Sequence, residues 1–251
     1  MKSLLKIVNV TLEINKTRLF NNLTFDIQRG EIWGILGPNG SGKTTLLHTL
    51  AGLLPVIHGN IFLQEKNLCF LSRKNIAQQL GILFQENQDI FPQTVWEVCQ
   101  SGRYAHPYSS VDADIIKQAL IDMGLDSKAQ QFIQTLSGGE RKRLGIATLL
   151  AQKPLIYLLD EPINHLDLHY QVKILNHLKH LVKNTSVSVL MSLHDINMAA
   201  QYCQKILLLG KGEYRMGDTH YLLTSHNLTH LYQYPIKQMC KGNSTWWQPE
   251  F

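Results

Sequence analysis

Gly37-Pro38-Asn39-Gly40-Ser41-Gly42-Lys43-Thr44 decides how the rest of this chain is read. The octet fits G-x-x-x-x-G-K-[ST], a phosphate-binding loop. Its glycines let the backbone curl tightly and aim N–H groups at phosphate oxygens. The loop enters a helix whose N-terminal dipole favours anions. Lys43 has the length to reach β- and γ-phosphates, and the Thr44 hydroxyl suits Mg²⁺. The flanks agree with the motif: Ile32 to Leu36 reads as a short buried strand, and Thr45 to Ala51 as a helix closed by Gly52.

Working outward, Val8, Val10, Leu12 and Ile14 alternate with polar residues, the pattern of a half-buried strand. Leu23, Phe25 and Ile27 repeat it. Ile61 to Leu63 and Gly81 to Phe84 are further short strands, the second ending at Gln85. From Glu86 the periodicity becomes helical. Thr94-Val95-Trp96-Glu97 is a capping box, Asp112 to Met123 carries apolar residues at helical spacing before Gly124, and another helix follows Ser137. Strands then return at 155–159, 187–191 and 206–209, separated by helices over Leu168 to Lys183 and Asp195 to Cys203. Gly210-Lys211-Gly212 turns the last of them back into 213–216. The expected fold is α/β: a phosphate-loop core with a mainly parallel sheet, an N-terminal antiparallel β portion and an inserted helical subdomain. Within one domain spanning 1–251, residues 1–85 and 152–242 would form the core and 86–151 the helical subdomain. The tail, 243–251, shows no period and receives no assignment.

Two further stretches carry chemistry. The continuous apolar run Leu155 to Leu159, typical of a strand buried on both faces, delivers Asp160-Glu161 to a strand end. In a parallel sheet that end faces the ligand crevice. One carboxylate there can hold Mg²⁺ while its neighbour orients or activates an attacking water. Leu136-Ser137-Gly138-Gly139-Glu140 is a second glycine-rich helix entry, with Ser137 as cap and exposed N–H groups that can receive an anion.

Taken together, these motifs resemble the ATP-binding-cassette ATPases over about residues 4 to 217. The resemblance rests on the phosphate loop, Gln85 at a strand end, Leu136 to Glu140, Asp160-Glu161-Pro162, Leu166-Asp167 and His194, in family order. It implies ATP and Mg²⁺ as ligands, with Gly37 to Thr45 contacting nucleotide and Thr44, Gln85 and Asp160 serving the metal. It implies a sandwich dimer in which a second copy's Ser137, Gly138 and Gly139 close over the nucleotide and Asp167 communicates across the interface. Gln85 and His194 would attend the γ-phosphate, with Lys43 and Glu161 completing the catalytic set. Two positions depart from the family: its adenine-stacking aromatic falls on Ile14, and Ile163 replaces the usual Thr or Ser. The first removes a π-face from the base site, with Arg18 or Phe20 as substitutes; the second is expected to be tolerated.

Composition sets outer bounds. The 251 residues are 44% hydrophobic, enough for a substantial core, and 24 Lys+Arg against 19 Asp+Glu give a mild +5 charge. No apolar run approaches the roughly 18 residues of a membrane span. No signal peptide is evident, and four scattered cysteines suit a reduced compartment. His165 and His169, and His226 and His230, have a helix-borne ligand spacing, but no third ligand is evident and His165 sits inside the family-like Asn164-His165-Leu166-Asp167, so they are read as having no metal role. What the resemblance implies, for a chain without a membrane span, is the ATPase subunit of a membrane importer, peripheral on the cytoplasmic face of the plasma (inner) membrane. It would pair with membrane-spanning permease subunits and work indirectly with a substrate-binding protein, without nucleic acid. Gly102 to His106 and His194 to Ala199 resemble ATPases that serve iron-siderophore, haem and cobalamin uptake. The alternatives are a soluble cassette ATPase acting on nucleic acid or the ribosome, a transporter ATPase for another metal or solute, and a nucleotide-sensing module.

Overall fold

The structure, a computed structural model, describes residues 3–14, 17–85, 91–210, 212–242 and 244–250, with 14, 17 and 18 described by backbone alone. The chain opens with an antiparallel pair, β1 (Leu5–Ile14) and β2 (Thr17–Ile27). The alternation expected of β1 is interrupted. Leu5 and Ile7 are buried, Val8 only partly so, and burial resumes at Val10 and Leu12. A bulge shifts the register between Ile7 and Val10, and Asn9 takes φ 51, a left-handed conformation that asparagine tolerates well. Thr24 Oγ1 secures the bulge, accepting from Asn9 N (2.8 Å) and donating to Asn9 Oδ1 (3.0 Å).

After β3 (Ile32–Leu36) come the phosphate loop and α1 (Lys43–Leu50). β4 (His58–Leu63) and β5 (Lys66–Asn67) then complete an antiparallel sheet of order β2-β1-β4-β5. A short α2 (Arg73–Ala77) leads into β6 (Leu80–Leu83). Three helices follow: α3 (Val95–Ser101), α4 (Asp112–Asp122) and α5 (Gly138–Gln152). The expected capping box of Thr94 with Glu97 forms, and the expected cap Ser137 makes one as well, with Glu140, because each needs only residues three apart.

The second half alternates β7 (Ile156–Leu159), α6 (Leu168–Thr185), β8 (Ser188–Ser192), α7 (Ile196–Tyr202) and β9 (Lys205–Leu209). β10 (Tyr214–Asp218) returns antiparallel to β9, as the Gly-rich turn predicts. The large sheet has order β10-β9-β3-β8-β7-β6, and every pair except β9–β10 is parallel. Its central strands are buried along their length and mostly apolar because both faces are covered; β8 also carries two buried serines, Ser188 and Ser192. Ile32, Tyr157, Leu159, Val189, Met191 and Ile206 join the helices in one core. Trp33, Ile35, Ile156, Leu158, Leu190 and Leu207 join α1 and the antiparallel sheet in the other.

The C-terminal part holds structure that sequence periodicity does not announce. α8 (Thr219–Leu222) and α9 (Ser225–Tyr232) precede a two-stranded ribbon of β11 (Ile236–Lys241) and β12 (Ser244–Pro249). Within the unassigned tail, Ser244–Pro249 form β12, and Trp247 is buried in the helix-side core. A lone hairpin is marginal in water, so docking of this tryptophan holds the ribbon against the domain.

Candidate nucleotide site

The phosphate loop owes its shape to two glycines. A Cβ on Gly37 would lie 2.3 Å from the Leu209 carbonyl oxygen and 2.7 Å from Ser41 Oγ. Gly42, at φ 93, is the N-cap of α1 and packs against the Phe20 ring. No side chain caps α1 and no acid lies in its first turn, so its N–H groups and dipole are free to meet an anion. Lys43 Nζ donates to the carbonyls of Gly37 (2.8 Å) and Pro38 (3.1 Å). Burial lowers the lysine's pKa, opposed by the charges of Glu161 and Asp160. An arriving phosphate would supply the charge partner this buried ammonium lacks.

β7 carries the two acids to the same strand-end crevice. Asp160 is completely buried. Its Oδ1 accepts from Ser192 Oγ at 2.6 Å, and Ser192 Oγ accepts from Glu161 N at 2.8 Å. Asp160 Oδ2 and Ser41 Oγ are buried without a hydrogen-bond partner. An orphaned carboxylate oxygen beside a phosphate loop is the oxygen donor a hard divalent cation needs.

Glu161 sits at φ 49, outside the usual range for its residue type. Its Oε2 accepts from Gln85 Nε2 (3.1 Å) and Asn164 Nδ2 (2.6 Å), and its Oε1 lies 2.6 Å from His194 Nε2. Gln85, Glu161 and His194, read separately in the sequence, thus converge. Together with Lys43 and Thr44 they border a cleft of about 740 Å³. Asn164 and Leu19 also line it and were not singled out from sequence. A signal for Asn164 existed, since an amide three residues after an acid in a turn can reach back. Lys142 was missed too: its Nζ donates to the backbone carbonyls of Asp160 (3.1 Å) and Gln85 (3.4 Å), bracing the two strand ends.

Other expected site residues lie elsewhere. Ser137 and Gly138 are exposed at the start of α5, Gly139 packs against Leu166, and none of the three lines the cleft. Asp167 caps α6, its Oδ1 accepting from Tyr170 N at 2.9 Å. The side chains of Ile14 and Arg18 lie outside those described. Phe20, offered as a stacking partner for a base, is instead 1% exposed, packed in the core behind Gly42. Ile163 is buried in the helix-side core, where its aliphatic side chain is at home.

A phosphate loop, buried acids at the neighbouring strand end and a helical segment between them form a recognisable set. The sequence profile described as "ABC transporter" matches residues 20–164. The chain belongs to the ABC transporter family. An uncharacterized ABC transporter ATP-binding protein of Bacillus subtilis, YvrA, is 39% identical over 202 residues, 78% of this chain and 46% of that protein. The match thus spans less than half of that relative's length. The ferric enterobactin transport ATP-binding protein FepC of Escherichia coli is 35% identical over 209 residues, 81% of this chain and 77% of FepC. Among solved structures, an inward-facing transporter described as of the metal-chelate ABC type superposes with TM-score 0.85 at 31% identity. That match covers 99% of this chain and 98% of the other. Among the described residues, no helix of this ABC protein is long and apolar enough to cross a membrane.

Proposed function

We propose that this chain is the ATP-hydrolysing subunit of a membrane importer for an iron chelate, haem or cobalamin-like molecule. The observation that carries the ATPase reading is the setting of Glu161. A carboxylate offers about four acceptor positions. Gln85, Asn164 and His194 occupy three and leave one for a water at the cleft. Glu161 thereby orients and polarises the attacking water. Lys43 and the first turn of α1 draw negative charge away from the transferring phosphoryl group, and His194 faces its γ-phosphate side. Thr44, Asp160 and Gln85 would hold Mg²⁺, which when bound neutralises charge on the β- and γ-phosphate oxygens. The partnerless Asp160 Oδ2 supports that assignment.

The Ser137–Gly139 segment, exposed at Ser137 and Gly138, and the Asp167 turn fit a sandwich dimer in which each copy completes the other's site. Residues 86–151 form the subdomain that meets the permease. A groove of about 380 Å³ between β6, α3 and α5, flanked by the exposed Tyr104, offers a docking surface for it. In this arrangement the protein sits on the cytoplasmic face of the membrane, with a substrate-binding protein delivering cargo to the permease from the other side. The chelate class rests on the likeness to FepC and to the metal-chelate type transporter.

Glu161→Gln keeps the size of the side chain and removes its charge. ATP hydrolysis should fall by at least about a hundredfold, while ATP binding persists and an ATP-stabilised dimer accumulates in size-exclusion chromatography. Near wild-type turnover would reject the assignment. Cargo is read by purifying the chain with its permease and measuring which chelate stimulates hydrolysis.

A further inference from the structure

The C-terminal ribbon lies beyond every motif used above, yet it grips the helix that follows His194. Asn197, in the first turn of α7, makes a two-way pair with the backbone of β12. Its Nδ2 donates to Trp247 O at 3.1 Å, and its Oδ1 accepts from Trp247 N at 2.8 Å. The backbone of the same turn is capped by Asp195, whose Oδ1 accepts from Asn197 N (2.7 Å) and Met198 N (3.0 Å). α7 has only seven residues, too few to be stable by itself. Tertiary pins therefore decide where its first turn sits. His194 precedes the Asp195 cap by one residue and touches Glu161 at 2.6 Å, so a displacement of that turn passes directly to the imidazole.

The ribbon is itself fixed to α9. Gln238 N donates to Ser225 Oγ (2.8 Å), and Ile236 N donates to Thr229 Oγ1 (2.9 Å). At the end of α9 the Tyr232 hydroxyl is buried near Asp195 and the backbone of Gly37, without a hydrogen bond of ordinary geometry. The C-terminal unit thus brings this hydroxyl near the cap of α7 and the first residue of the phosphate loop.

We propose that the C-terminal ribbon positions His194 for hydrolysis, with Asn197 as the positioning residue that transmits its grip. This rests on the reading of His194 as a γ-phosphate contact. The test uses the 251-residue chain and the variants Asn197→Ala, Asn197→Asp, His194→Ala and the double variant His194→Ala/Asn197→Ala. Misplacing a catalytic group by a fraction of an ångström costs on the order of tenfold in rate. Asn197→Ala should therefore lower kcat roughly tenfold while ATP affinity stays within about twofold. Asn197→Asp keeps the acceptor for Trp247 N and should recover part of the loss. In the double variant the losses should not multiply, because both changes remove one function. Hydrogen exchange at the Trp247 amide gives a second readout: ATP should slow it in a Glu161→Gln background and fail to do so once Asn197 is alanine, since coupling is reciprocal. Wild-type kcat in Asn197→Ala, or losses that multiply fully in the double variant, would overturn the proposal. If His194→Ala alone leaves turnover intact, the reading of His194 fails. The ribbon's coupling is then judged by exchange, and a Trp247 amide indifferent to ATP overturns it.

Discussion

Ser192 offers the sharpest test of how the acid pair is built. Its side chain is completely buried and joins the two carboxylate residues, donating to Asp160 Oδ1 at 2.6 Å and accepting from Glu161 N at 2.8 Å. Ser192→Ala leaves a charged carboxylate oxygen and a backbone N–H without partners in the interior. Each orphaned buried group costs about 1–3 kcal/mol, more when charged, so the sum should be roughly 3–4 kcal/mol. In a domain of this size that corresponds to a fall in Tm of roughly 10 °C. Ser188, on the same strand and equally buried, provides an internal control, because its hydroxyl donates to one carbonyl, Gln28 O, at 2.7 Å. Ser188→Ala should cost about 1–2 kcal/mol. Urea unfolding of the nucleotide-free variants, followed by tryptophan fluorescence, compares the two. If Ser192→Ala loses no more stability than Ser188→Ala, Ser192 is not the bridge described here and the geometry around Asp160 has been misread.

Two further outcomes are expected. Gly37→Ala would place a methyl group 2.3 Å from the Leu209 carbonyl oxygen; the loop must move, and ATP affinity measured by titration should fall more than about tenfold. Glu140 is held down to about 2 from an ordinary 4.5, chiefly by the Lys128 ammonium and the Ser137 N–H. A carboxylate with a depressed folded-state pKa contributes stability that is fully present above about 4.5 and is lost as pH falls from there towards about 2. Glu140→Gln should therefore narrow the stability gap between pH 6 and pH 3 in denaturant titrations; an unchanged gap would refute the role.

How much was legible in advance follows from the range of the interactions involved. The phosphate loop, the two capping boxes and the buried strands are written locally. A glycine-rich loop before a helix, an acid three residues after a cap, or an apolar run covered on both faces needs only near neighbours in the chain or a repeating burial pattern, whereas the Leu209 carbonyl that leaves no room for a side chain at Gly37 comes from a strand far along the chain. That much also carried the family resemblance and the expectation of an ATPase. The bulge at Asn9 escaped notice because alternation alone carries no record of where a strand inserts an extra residue. Phe20 looked available to a base because the sequence does not say that Gly42 will pack against its ring. The tail looked featureless because β11 and β12 gain their stability from Trp247 entering a core built mostly from residues far earlier in the chain.

The sequence by itself determined the chemistry on offer: a phosphate-binding loop, an acid pair at a strand end, and a histidine and a glutamine at two more strand ends. Tertiary structure alone decided how those groups meet. Parallel pairing of β6, β7 and β8 sets Gln85, Glu161 and His194 side by side, so that one carboxylate collects donors from three segments and Asp160 keeps one buried oxygen unpartnered. The physical reason is one of distance. Glycine conformation and helix capping act over a few bonds, whereas hydrogen bonds among strand ends exist only after the sheet has brought remote segments into register.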